Sequence, residues 1–404
     1  GEAFGMINIF DEGSHRRQSE NSADGPYTHR LYRDWLLPML LFGSVGAIAW
    51  AIRGTGGWGG VDGTVVPGMA WGLLWYYVCL RRGIDARGAI FWLGLGIALG
   101  GELGYGQYVS WIQGRFETPG GTVSIAPRIG WAWFVICGIG WGAPGGILLG
   151  WALGRKTSLL GWAVRLALPV GLGFAGWCMV RAWPGWFFPN HDLGLYAGEL
   201  DRHLTRTVET NTTNFTVLAW WVGAMVTATL QRDRATLVAG GVIGGGFGIG
   251  FAAAAAWCLG YTYAPGYIDW WKMWELQAGF HLGLLYVVVL NWASRNAAPG
   301  QPSQHTEQRR AVMLLLTWLS FLGILAYGAT YRLGVVLGLY SAEAVDQYAW
   351  PPARIALFAP FATILLIAVV HRLRRILGGA PAQSRLAARA EGSPRLPLSA
   401  RIAD

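Results

Sequence analysis

Charge is scarce in this chain. Asp, Glu, Lys and Arg make up 13% of its 404 residues, about half the share found in soluble domains. Lysine is nearly absent, Lys156 and Lys272 being the only two among 31 basic residues. This poverty excludes both an ordinary water-soluble globule and a charged disordered chain. Cysteine is sparse as well. Cys79, Cys137, Cys178 and Cys258 form no CxxC pair and all fall in apolar runs. That pattern excludes a disulfide framework and a cysteine zinc site, and reads as packed thiols. No G-x-S-x-G, H-E-x-x-H or CxxCH occurs, so no motif names a catalytic class or a cofactor.

Apolar residues fill the space that charge leaves. The hydrophobic share is 53%, with 24 Trp and 60 Gly. Runs of roughly 20 apolar residues, long enough to cross a bilayer, recur along the chain. We expect an all-α, polytopic helical membrane protein with about ten transmembrane helices, at 35–52, 66–80, 89–112, 130–153, 162–181, 214–230, 235–259, 270–292, 311–331 and 354–371. No cleavable signal peptide is read in residues 1–33, which are polar and basic.

The net charge of +9 is carried by arginines lying mostly in the gaps between these runs. Arg81, Arg82 and Arg87, then Arg155 and Lys156, Arg232 and Arg234, and Arg295, Arg309 and Arg310 follow the even-numbered spans. His371, Arg372, Arg374 and Arg375 follow the last. The pattern is positive-inside; it argues against nucleic acid and places both termini in the cytoplasm of a cell (inner) membrane.

Residues 68–106 are echoed by 217–250: each reads as a span, a short Arg/Asp turn and a glycine-rich span. The Trp and Gly positions of 130–142 resemble those of 269–283. Two parallel four-helix repeats are therefore expected, at 34–156 and 157–293, with an added C-terminal helix pair within 294–377. A cytoplasmic tail at 1–33 and a disordered tail at 378–404 flank them. Glycines four apart recur at Gly96, Gly100 and Gly104, at Gly138, Gly142, Gly146, Gly150 and Gly154, and at Gly240, Gly244 and Gly248. Such stripes serve close helix packing; the alternative is a pore or broken helix lined by carbonyls.

Ionisable residues inside apolar spans are functional candidates by default. Glu102 lies about ten residues from the outer end of the third span, on the order of 15 Å deep, and Gln107 follows it in the same stretch. The eighth span carries Lys272 and Glu275 three apart on one face, and Gln277 and His281 four apart on another. Lys272 among its tryptophans also reads as an interfacial anchor, and His281 as a packed side chain. Glu275 and His281 together are the pieces of a proton relay or a substrate grip. Arg53 opens a glycine-rich segment, 53–68, whose amides suit either an anion nest or a plain turn. With Arg115 and Arg128 it would line an outer vestibule.

The long external segment 182–213 holds His191, Asp192, Glu199, Asp201 and His203. These are metal-ligand types without metal-ligand spacing, and therefore weak candidates beside the reading of an ordered cap. Asn211 and Asn214 form glycosylation sequons on the outer side.

The function these features favour is a transporter or channel for a small polar or anionic solute, proton-coupled through Glu102 or Glu275. A membrane-embedded transferase is the first alternative, with Glu102 or Glu275 as general base, His281 as its partner, and arginines holding a phosphate-bearing or lipid-linked substrate. A non-catalytic subunit of a membrane complex is the second. Expected partners are the lipid bilayer, a small anionic or polar substrate, and further copies of the chain or a larger membrane complex.

Overall fold

The computed structural model describes residues 35–55, 68, 70–75, 89–104, 106, 108–154, 157–296 and 337–338. The chain divides into units 1–317 and 318–404; nearly all described residues belong to the first. The two tails and the spans expected at 311–331 and 354–371 lie outside them, as does most of the segment after Arg53.

The first unit is a helical bundle. Its elements are α1 (Leu37–Thr55), α2 (Ala89–Leu103), α3 (Val109–Ile112), β1 (Arg115–Thr118), β2 (Gly121–Ser124), α4 (Pro127–Leu153), α5 (Leu159–Ala182), α6 (Pro184–Phe187), α7 (Arg202–Leu230), α8 (Arg234–Ala239), α9 (Gly246–Ala255), α10 (Gly260–Tyr263) and α11 (Trp270–Asn296). A π-turn, Gly240–Gly245, joins α8 to α9, and a 3-10 turn, Ala256–Leu259, joins α9 to α10. Among the described residues, five helices are long and apolar enough to cross a membrane: α4, α5, α7, the composite Arg234–Tyr263, and α11. Residues 70–75 are helical within the expected second span.

The chain itself sets several helix starts. Pro127 opens α4 where no amide partner is required. The Ser158 hydroxyl accepts from the Gly161 amide at 3.1 Å to cap α5. Asp201 does the same for α7, accepting from Leu204 N at 2.8 Å, and Asp233 for α8 through Thr236 N. Between α3 and α4 the antiparallel hairpin β1–β2 pairs Arg115 with Ser124 and Thr118 with Gly121.

Glycine brings the helices together backbone to backbone. A Cβ on Gly279 of α11 would lie 2.1 Å from the Gly46 carbonyl oxygen of α1, and a Cβ on Gly46 would meet Gly279 O at the same distance. Helix α4 is the hub. Gly96 and Gly100 of α2 abut Gly145 and Trp141 on one side, while Gly138, Gly142, Gly146 and Gly150 face Phe247, Ile243, Ala239 and Thr236 on the other. Helix α5 packs on α7 and leaves Leu166, Val170 and Phe174 exposed, the face a membrane helix turns to lipid.

Three differences from the sequence reading stand out. The third span is not continuous to residue 112, because α2 ends at Leu103 and helix resumes only at Val109. At the break Gly104 lies against Trp141, where a Cβ would sit 2.5 Å from its backbone nitrogen. The Cys137 thiol donates to the freed Gly104 carbonyl at 2.9 Å, so the helix breaks while Gly96, Gly100 and Gly104 still pack against α4. Second, 202–213 is helical, forming the first turns of α7. Third, helix pairing differs between the two expected copies. The fourth span packs chiefly on α2 and on the composite helix, whereas its counterpart α11 packs chiefly on α1.

Candidate functional site

The start of α11 gathers a cluster of polar side chains. Asp269 caps it by accepting from Lys272 N at 3.1 Å, and the Tyr261 hydroxyl of α10 accepts from Trp271 N at 3.2 Å. This fixes the first turn. One turn in, the Lys272 ammonium forms an ion pair with Glu275 Oε2. The other carboxylate oxygen, Oε1, accepts from Trp271 Nε1 at 2.9 Å. Lys272 also reaches the Ala51 carbonyl of α1 at 3.5 Å. The exposures are unequal: the Lys272 side chain is 28% exposed and that of Glu275 only 7%. The expectation of a shared Lys272–Glu275 face therefore becomes a buried carboxylate with one cationic and one neutral donor.

Aromatic rings wall this pair. Trp271 meets Trp274 edge-on at 4.7 Å, and Trp274 contacts Phe134 of α4 at 5.5 Å and Phe251 of α9 at 5.3 Å. Trp50, next to Ala51, continues the wall to Trp141 at 4.6 Å. The Trp274 indole nitrogen is buried and has no hydrogen-bond partner among the described residues.

His281 does not join Glu275. Six residues separate them, which sets them on different faces of a helix with 3.6 residues per turn. His281 is half-buried with Nδ1 3.0 Å from the Gly250 carbonyl of α9, while Glu275 has its partners on its own helix beside α1. Glu275 and His281 thus make separate contacts. Gln277 accepts from Trp257 Nε1, again toward the composite helix. The Glu102 backbone lies in the last turn of α2, one residue before its end, rather than within a continuous span. The side chains of Glu102 and Arg53, and the whole of Gln107, fall outside the described residues.

The weak metal candidates scatter. Asp201 is engaged as the α7 cap, His191 stacks on Tyr196 at 5.8 Å and 14°, and Asp192, Glu199 and His203 are exposed. Among the described residues no three His, Cys, Asp or Glu side chains gather within metal-binding reach.

The chain matches no family model, no curated protein and no solved structure. Its chemistry has to be read from its own geometry.

That geometry holds two further polar nodes absent from the sequence reading. Tyr108, at the end of the α2 break, donates to Asn211 Oδ1 and accepts from Asn214 Nδ2, both at 3.0 Å. Asn211 Nδ2 in turn donates to the Phe187 carbonyl at 2.7 Å. Both asparagines are 0% exposed, so neither serves as a glycan acceptor in the folded protein. Their spacing of three was the available signal for a shared helix face. At the opposite end of the composite helix, Arg165 of α5 donates to Asp233 Oδ2 at 2.6 Å and to Gln231 Oε1 at 2.9 Å. Arg165 is the one charged residue between Leu159 and Val180, a signal that sequence reasoning passed over.

Proposed function

We propose that the protein is a membrane transporter for a small polar or anionic solute, with the Lys272–Glu275 pair as its solute- and proton-handling centre. The observation that carries this reading is a carboxylate 7% exposed within an apolar helix, held by a half-exposed ammonium and a single indole N–H. A group of this kind is costly to bury and is retained in membrane helices where ions or protons are handled. The break in α2, the π-turn in the composite helix and the glycine contacts supply the irregular, closely packed backbone on which such sites are built. The same reading carries ten spans arranged as two parallel four-helix units plus a pair, in an inner membrane with both termini cytoplasmic, on the strength of the arginine-rich gaps.

Vesicle flux tests it. The full chain is reconstituted into liposomes containing a pH-sensitive dye, and lactate, benzoate, nitrate or inorganic phosphate is added outside. At least one should change the internal pH faster than in protein-free vesicles, which account for passive leakage. Equal rates with and without protein across the panel would overturn the proposal.

A further inference from the structure

We infer that the centre binds a small monocarboxylate with an apolar tail, which takes over the donors of Glu275 and drives uptake of one proton onto that residue. This rests on the transport reading and names its substrate class and coupling.

Glu275 is itself a template for the ligand. Its two oxygens divide between two donors, Oε2 on the Lys272 ammonium and Oε1 on the Trp271 indole at 2.9 Å. Both donors therefore already converge on one planar carboxylate, and a ligand carboxylate presents the same pair of acceptors. Lys272 is the more exposed member of the pair, so an anion reaches the ammonium before the carboxylate. Beside the pair stands Trp271, partly exposed and edge-on to the buried Trp274, an apolar face for a hydrocarbon or aromatic tail.

The coupling follows from what remains once Lys272 is taken. From α1 the Ala51 carbonyl lies beside Lys272, and Phe134 of α4 and Phe251 of α9 meet the adjacent Trp274. Among the described side chains the titratable groups nearby are Asp269, Tyr261 and Cys258, none of them cationic. Lys272 is the one ion-pair partner of Glu275 among the described residues. A buried carboxylate that loses its counter-charge neutralises by taking up a proton. No bond is made or broken: the ligand carboxylate replaces the Glu275 carboxylate at Lys272 and Trp271, and water supplies the proton. Net charge in the site is unchanged, and the loaded site is fit to move through an apolar barrier.

Calorimetric titration of the detergent-solubilised full chain with benzoate tests this, near pH 7 in two buffers of different ionisation enthalpy. The buffer dependence of the heat should report about one proton taken up per benzoate bound. Glu275→Gln should still bind benzoate while the buffer dependence disappears; Glu275→Asp should keep it. Lys272→Met should weaken binding by about tenfold or more, and succinate, carrying two charges, should bind about tenfold less tightly. Wild-type binding without proton uptake, undiminished binding by Lys272→Met, or no benzoate binding at millimolar concentration would each overturn the inference. Vesicle flux of another solute that survives Lys272→Met would sink the inference and leave transport standing. Benzoate binding with proton uptake but no flux would do the reverse.

Discussion

Arg165 and Asp233 meet across 68 residues of sequence at 2.6 Å, each side chain about one-twentieth exposed. The pair ties α5 to the loop joining α7 and α8, and Thr236 Oγ1 donates to the same carboxylate oxygen at 2.7 Å. Breaking one side of such a pair leaves a buried charge without compensation. Asp233→Asn should destabilise the protein by about 3–5 kcal/mol, while the double variant Arg165→Leu with Asp233→Leu should lose far less. Thermal denaturation of the three proteins in detergent measures the difference. Equal losses for the single and double variants would mean that the ion pair is not what matters there.

The Gly46–Gly279 approach gives a second prediction. A methyl at 279 would sit 2.1 Å from a carbonyl oxygen, and backbone has nowhere to yield. Gly279→Ala should force α1 and α11 apart at a cost of about 1–3 kcal/mol. Gly171 in α5 has open space where its Cβ would go, so Gly171→Ala should be neutral or stabilising by up to about 1 kcal/mol. The two melting temperatures, compared side by side, check the assignment.

Tyr108 supports a third. Its hydroxyl is shared by Asn211 and Asn214 at full burial. Tyr108→Phe removes both bonds and should lower stability by about 0.6–2 kcal/mol, the range for polar contacts between membrane helices. Asn211→Leu should cost at least as much, because it also deprives the Phe187 carbonyl of its donor. Hydrogen exchange at the start of α7 should quicken in both variants.

Tyr196, in the segment between α6 and α7, carries a pH dependence. Its hydroxyl donates to the Pro189 carbonyl at 3.0 Å, and burial pushes its phenol above the ordinary tyrosine range. The protonated form is the one the fold stabilises. Its contribution, about 0.5–1.5 kcal/mol, is fully present below about pH 10 and is lost as pH rises through the raised folded value. The stability gap between wild type and Tyr196→Phe should thus hold steady from pH 7 to about pH 10 and close above it. A gap independent of pH in melting curves up to pH 11 would contradict the assigned burial.

The long apolar runs at 130–153, 162–181 and 235–259 were legible in the sequence because length and hydropathy agree there. The Lys272–Glu275 contact was legible for a local reason, since three residues on a helix bring two side chains onto one face. The break at Leu103 was not, because apolarity continues through it and glycine permits both helix and turn. The Asn/Thr-rich start of α7 reads as external by hydropathy, and only the distant Tyr108 and Phe187 reveal why it is buried. Arg165 and Asp233 are too far apart in sequence for any local pattern to join them.

The central claim is that Glu275 handles the proton in solute movement. The decisive measurement compares wild type and Glu275→Gln in dye-loaded proteoliposomes, with anion-driven proton flux recorded beside exchange of the same anion across the membrane at equal pH. The account predicts that Glu275→Gln abolishes the proton flux while anion exchange persists. Proton flux undiminished in Glu275→Gln would contradict it.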